Sequence, residues 1–134
     1  MVKMGVVKIG YIFQNANPYG KLVDDCVIRS VAVATGKSWD DIFLELSVEA
    51  YIAKDLQNAN SVWGEYLERN GFVRRQLPNT CPLCYRVKDF VRDYKHGIYV
   101  LGDGTHAIAV VDGYYIDTYD VGDRTVLFYY EKIE

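Results

Sequence analysis

A cysteine, a histidine and an aspartate, in that order along the chain, carry the chemistry of acyl transfer. Cys26 stands in Asp24-Asp25-Cys26-Val27-Ile28-Arg29-Ser30, after two acidic residues suited to cap a helix and at the head of an apolar helical run. A thiol there feels the positive end of the helix dipole, which favours the thiolate, the form that attacks carbonyl carbon. A free cysteine is more often a small buried hydrophobe, and Asp24 and Asp25 would oppose a thiolate if they pointed toward it. On Cys26 alone the buried-hydrophobe reading is the favoured one.

The second half of the constellation lies in Thr105-His106-Ala107-Ile108-Ala109-Val110-Val111-Asp112-Gly113-Tyr114-Tyr115-Ile116-Asp117. Asp-Gly between apolar runs predicts a two-residue hairpin turn. Val111 then faces Tyr114, Ile108 faces Asp117, and His106 faces Tyr119. His106 and Asp117 share one face as diagonal neighbours, about 7–8 Å apart at Cα, and Asp120 falls on the other face. A base that takes the thiol proton and returns it to the leaving group, held by an acid that fixes its tautomer, is what a cysteine nucleophile needs. The plain alternative is a structural hydrogen bond between a half-buried histidine and a sheet aspartate. With two histidines and three cysteines in the chain, few rival constellations can be built.

Cys81-Pro82-Leu83-Cys84 is the other chemical motif. A zinc site needs about four ligands and the second pair is absent, with only His96 spare. A redox pair wants a strand directly before it, which residues 72–77 do not clearly supply. The favoured reading is that Thr80 caps and Pro82 opens a helix, with redox second and metal third.

The elements that must position these residues follow from periodicity. A strand is expected over residues 6–13, then a polar loop over 14–24 with Asn17-Pro18-Tyr19-Gly20 as a turn. A buried helix follows over 25–35, with Asp24 or Asp25 as cap and Gly36 as stop. Ser38 starts a second helix running to about Leu56, with Asp41 three residues on and Ile42, Leu46, Ala50 and Ala53 as its inward stripe. Further helices are expected over 61–70 and 84–94, and strands over 72–77, 98–101, 106–111, 114–119 and 126–131. Helices first and antiparallel strands last is an α+β pattern. Trp39 and Trp63 read as packing anchors, Arg74-Arg75 as a solvated strand surface, and the tyrosines at 114, 115, 119, 129 and 130 as sheet packing.

Composition fits one domain over residues 1–134, long enough to form a core without disulfides or metals. A net charge of −3 argues against nucleic-acid binding, which needs a basic patch. No apolar stretch is long enough for a bilayer, and no signal-peptide pattern opens the chain. With an odd number of cysteines, a reducing cytosol is the expected compartment.

The Asn-Pro-x-Gly-Lys turn at residues 17–21, the Asp-Cys-Val-Ile-Arg helix start and the His-x-Ile-Ala-Val-Val-Asp-Gly-x-Tyr-x-Asp hairpin resemble small papain-like cysteine peptidases of bacterial and phage origin, over residues 13–130. The Cys–His–Asp order is shared with bacteriocin-leader peptidases, transglutaminase-like proteins and cell-wall endopeptidases. The resemblance implies N-terminal helices packed on a C-terminal antiparallel sheet, with Cys26 as nucleophile, His106 as base and acid, and Asp117 as orienter. Such enzymes also need an oxyanion hole: the N–H of the nucleophile and a side-chain amide from the segment before it. Asn17 is the first candidate and Gln14 the second. Papain-like relatives often place a Gln a few residues before the Cys, whereas position 20 here is Gly, and a turn wants Asn17 for backbone reasons alone. The expected function is a cysteine hydrolase, most simply a peptidase, acting on a peptide or protein without cofactor or metal. An acyltransferase or transglutaminase-like enzyme shares the acyl-enzyme. A phage-borne module gripping a host protein is the non-catalytic alternative.

Overall fold

The computed structural model describes residues 10–133. The N-terminal part of the strand expected over residues 6–13 lies outside the described residues, and what remains is β1, Tyr11–Phe13. Helix α1, Cys26–Thr35, ends at Gly36, whose φ of 76° lets its N–H reach back to Ala32 O. Helix α2, Trp39–Ala53, starts at Ser38, whose side chain accepts from Asp41 N as the capping pattern predicts. Ile42, Leu46 and Ala50 are buried, but Ala53 is exposed because the last turn of α2 runs past the core. Helix α3, Asn60–Arg69, and strand β2, Phe72–Gln76, fall within a residue of expectation.

The segment before the fourth helix differs from the sequence reading. Cys81 and Cys84 are joined by a disulfide, and Leu83 N donates to Thr80 O at 2.9 Å. Thr80 thus sits in a turn and caps nothing, and Pro82 opens no helix. Helix α4 is Val87–Asp93, shorter than expected, with Asp89 Oδ2 accepting from Arg86 N at 3.0 Å at its start.

Strands β3, Ile98–Gly102, β4, Ala107–Val111, β5, Tyr114–Asp117, and β6, Phe128–Lys132, complete the chain. The β4–β5 turn has Asp112 at φ 47° and Gly113 at φ 84°, the double positive φ of a tight hairpin. Val111 pairs with Tyr114 and Ala109 with Ile116, the register the sequence predicts.

The six strands form one open sheet in the order β1-β5-β4-β3-β6-β2. Every neighbouring pair is antiparallel except β1 and β5, which run parallel. The expectation of a wholly antiparallel sheet is corrected at that edge. Nearly the whole chain separates β1 from β5, so no hairpin forces them antiparallel.

Alternation along the strands gives the sheet two apolar faces. On one, α1 to α3 place Val31, Ile42, Leu46, Trp63 and Leu67 against Val100, Phe128 and Tyr130. On the other, Val87, Phe90 and Val91 of α4 meet Tyr99, Leu101, Ile108, Val110 and Tyr129. Burying each large side chain contributes roughly 1.5–3 kcal/mol, so both layers hold the sheet rigid behind the site. Helix α1 lies along β4, where Ala107 and Ala109 leave room for close approach and Ser30 Oγ donates to Ala107 O at 2.7 Å. Among the described residues no helix is long and apolar enough to cross a membrane.

Candidate active site

The first turn of α1, the start of β4 and the end of β5 converge at one end of the sheet. Cys26 is the first residue of α1 and is buried. Cys26 and His106 line the same two clefts, and the sulfur is near enough to the ring to act on its charge. His106 Nε2 lies 2.8 Å from Asp117 Oδ2, which leaves Nδ1 for the sulfur. Asp117 is 2 % exposed. Its Oδ1 accepts from Arg29 Nη1 at 2.8 Å and from Thr118 N at 2.7 Å. Asp120, beyond the end of β5, accepts from the Tyr115 hydroxyl instead.

Charges around the imidazole set its protonation. Burial works to lower the His106 pKa, but the Asp117 carboxylate and the Cys26 sulfur outweigh it and raise it from 6.5 to about 9. His106 is therefore an imidazolium at neutral pH, with both ring nitrogens donating. Burial likewise works to raise the Asp117 pKa, and the bonds from His106, Arg29 and Thr118 hold it below its ordinary value.

Arg29 is the residue that sequence reasoning missed. Its Nε donates to Asp25 Oδ1 at 2.7 Å while its Nη1 reaches Asp117, so one buried guanidinium ties α1 to β5. The planar fork suits two carboxylates at once, which a lysine would not. The signal was present: Arg29 is the one charge in an apolar helix, four residues after Asp25.

Asp25 was expected to cap α1, and it does not. It occupies the cap position without a side-chain cap bond. Its carboxylate turns inward to Arg29 and to Trp39 Nε1–H, 2.9 Å away. Trp39 is thus a donor as well as a packing anchor. The first-turn N–H groups of α1, that of Cys26 among them, are left free of any side-chain cap.

The two amides expected for an oxyanion hole are placed elsewhere. Asn17 Oδ1 accepts from Tyr19 N at 2.9 Å and Lys21 N at 3.3 Å, and its Nδ2 is turned to Asp25 Oδ2 at 3.5 Å. That is the turn role of an asparagine. Gln14 is exposed on the segment after β1, where its backbone N–H donates to Asp117 O at 3.1 Å. Neither lines the clefts at Cys26; the carboxamides that do are Asn58 and Asn60.

Two clefts meet at the Cys26–His106 pair. One, of about 170 Å³, opens toward α3 past Asn58, Asn60 and Trp63. The other, of about 610 Å³, opens past Leu22, Thr118, Tyr119 and Arg124. The loop delivering His106 is fixed by Asp103, whose Oδ1 accepts from Thr105 N at 2.8 Å and His106 N at 2.6 Å. Arg124 Nε stands 3.1 Å from Asp103 Oδ2 as an ion pair without hydrogen-bond alignment. The Tyr119 ring lies 5.9 Å from the imidazole centroid and is half exposed in the wider cleft.

No family model, curated protein or solved structure matches this chain.

Proposed function

We propose that the protein is a cysteine hydrolase, most simply a peptidase, with a papain-like arrangement of helix and sheet. The observation that carries this reading is a histidine bonded by Nε2 to a buried carboxylate while it lines the same clefts as a helix-start cysteine. A lone histidine–aspartate pair serves a sheet as well as a catalyst. The third partner on the far side of the ring is what favours catalysis.

In this reading the Cys26 thiolate attacks the carbonyl carbon, and the oxyanion forms beside the uncapped N-terminus of α1. The Cys26 N–H is one donor there, and Asn58 or Asn60 supplies the second. His106 gives its Nδ1 proton to the leaving amine as the C–N bond breaks, leaving an acyl-enzyme. It then takes a proton from water, whose hydroxide oxygen attacks the thioester and releases the acid and the thiolate. Asp117 keeps the ring oriented throughout, and Arg29 keeps Asp117 ionised. Clefts on both sides of the pair leave room for a chain to lie across it, which supports a peptide over a small ester.

Quenched fluorescent peptide libraries test the reading. The wild type is expected to cleave a subset, with Cys26→Ala and His106→Ala inactive. Incorporation of a labelled amine in place of cleavage would move the assignment to acyl transfer, and no turnover of either kind would favour a binding module.

A further inference from the structure

A third cleft, of about 500 Å³, opens beside the nucleophile between the start of α1 and the end of α2. We infer that it receives the lysine or arginine side chain of a peptide substrate. The inference deepens the hydrolase reading and rests on it for the cleft's purpose.

The volume lies within the range of small-ligand sites, about 300–1,000 Å³. Val27 and Ile28 of α1 and Tyr51 and Leu56 at the end of α2 supply apolar wall. Asp24 and Asp55 supply carboxylates, and no lysine or arginine lines the space. Asp24 also lines both clefts at the Cys26–His106 pair, so the third cleft borders them at that residue. A chain lying across the nucleophile reaches it with one side chain.

The walls and the charges together select the occupant. Lysine and arginine carry an aliphatic stem that packs on apolar surface and a cationic head that stays polar. Among the described residues neither Asp24 nor Asp55 is in an ion pair, and Asp55 Oδ1 accepts only from Leu56 N, at 2.7 Å. Asp25 also lines the space, but its carboxylate is held by Arg29 and Trp39. A glutamate side chain would meet two like charges, and an alkyl chain would offer neither carboxylate a counter-charge. Lys54 Nζ lies 3.9 Å from the Tyr51 ring centroid, outside the lining; a second cation nearby limits the gain without closing the cleft.

Paired electrophiles test this without requiring turnover. Aminopentyl iodoacetamide and its hexyl counterpart differ in the terminal charge and react with the same sulfur. Relative to the urea-unfolded protein, the cationic probe should alkylate Cys26 about two- to fivefold faster than the neutral one, the size expected of exposed ion pairs. Asp55→Asn and Asp24→Asn should each bring the ratio toward one. Equal rates in the folded wild type, or a faster hexyl probe, would overturn the inference. Failure of Cys26 to alkylate at all would sink the hydrolase reading alone. The cleft is then judged by NMR titration with pentylamine: shifts at the Tyr51 and Leu56 amides that weaken in Asp55→Asn support it, and their absence overturns it.

Discussion

At the scale of residues, the imidazole is where the site makes its sharpest commitments. The folded pKa of His106, about 9, lies above its ordinary 6.5, so the native state holds a proton that the unfolded chain has released between those values. Its contribution to stability is whole below about pH 6.5 and is lost as pH rises through 9. Urea titrations across that window should show the gap between wild type and His106→Gln shrinking toward alkaline pH. A gap independent of pH would contradict the assigned protonation. Activity, if His106 is the acid, should fall on an alkaline limb near pH 9. Cys26, His106 and Asp117 were legible from type, order and strand parity, because a hairpin turn transmits register over a few residues. The local halves of Arg29 and Asp103 were legible, the i+4 pair with Asp25 and the turn bonds to Thr105 and His106, whereas their reach to Asp117 and Arg124 is fixed by tertiary contact. Asn17 misled because its amide serves the turn that makes it conspicuous.

At the scale of elements, α1 is held to the sheet by its buried charges as much as by its apolar face. Arg29→Met should cost about 3–5 kcal/mol in denaturant melts, since it leaves the buried Asp25 carboxylate without its cation and Asp117 with His106 alone. Arg29→Lys should recover little of this, because one ammonium does not span both carboxylates. Full recovery would mean that charge alone matters. Ser38→Ala should cost about 1 kcal/mol, the loss of one helix cap. Local chemistry made α1 and α2 readable: Gly36 stops one and Ser38 with Asp41 starts the next. The start of α4 was misplaced because Thr-Cys-Pro resembles a helix entry, whereas the residues from Thr80 to Leu83 form a turn closed by the disulfide. The end of β5 was set two residues too far, since its pairing stops at Asp117, opposite Phe13.

At the scale of the whole molecule, a six-stranded sheet between two helical layers presents the site at its end. Phe90, fully buried and ringed by Tyr94, Tyr99 and Tyr129, fastens the α4 layer. Phe90→Ala should cost about 3–5 kcal/mol, measurable as a shift of the denaturation midpoint. The α+β class was legible from the run of helices followed by strands. Strand order was not, because β6 pairs with β3 and β2 across long stretches of sequence and nothing local encodes that. The parallel β1–β5 edge and the separate α4 face escaped for the same reason. The site depends on this frame: β1 covers the edge of β5, and α1 brings Cys26 to the clefts that His106 lines.

The most direct test of the central claim is the alkylation of Cys26 by iodoacetamide, read by peptide mapping at about pH 6. The account predicts that Cys26 labels readily in the folded protein and that His106→Ala slows it by about tenfold or more, the partner that exchanges the thiol proton being gone. Asp117→Asn should slow it less, provided the variant folds, since the base remains but is poorly oriented. A Cys26 that stays unlabelled in the folded wild type, or that labels equally fast without His106, would contradict the account.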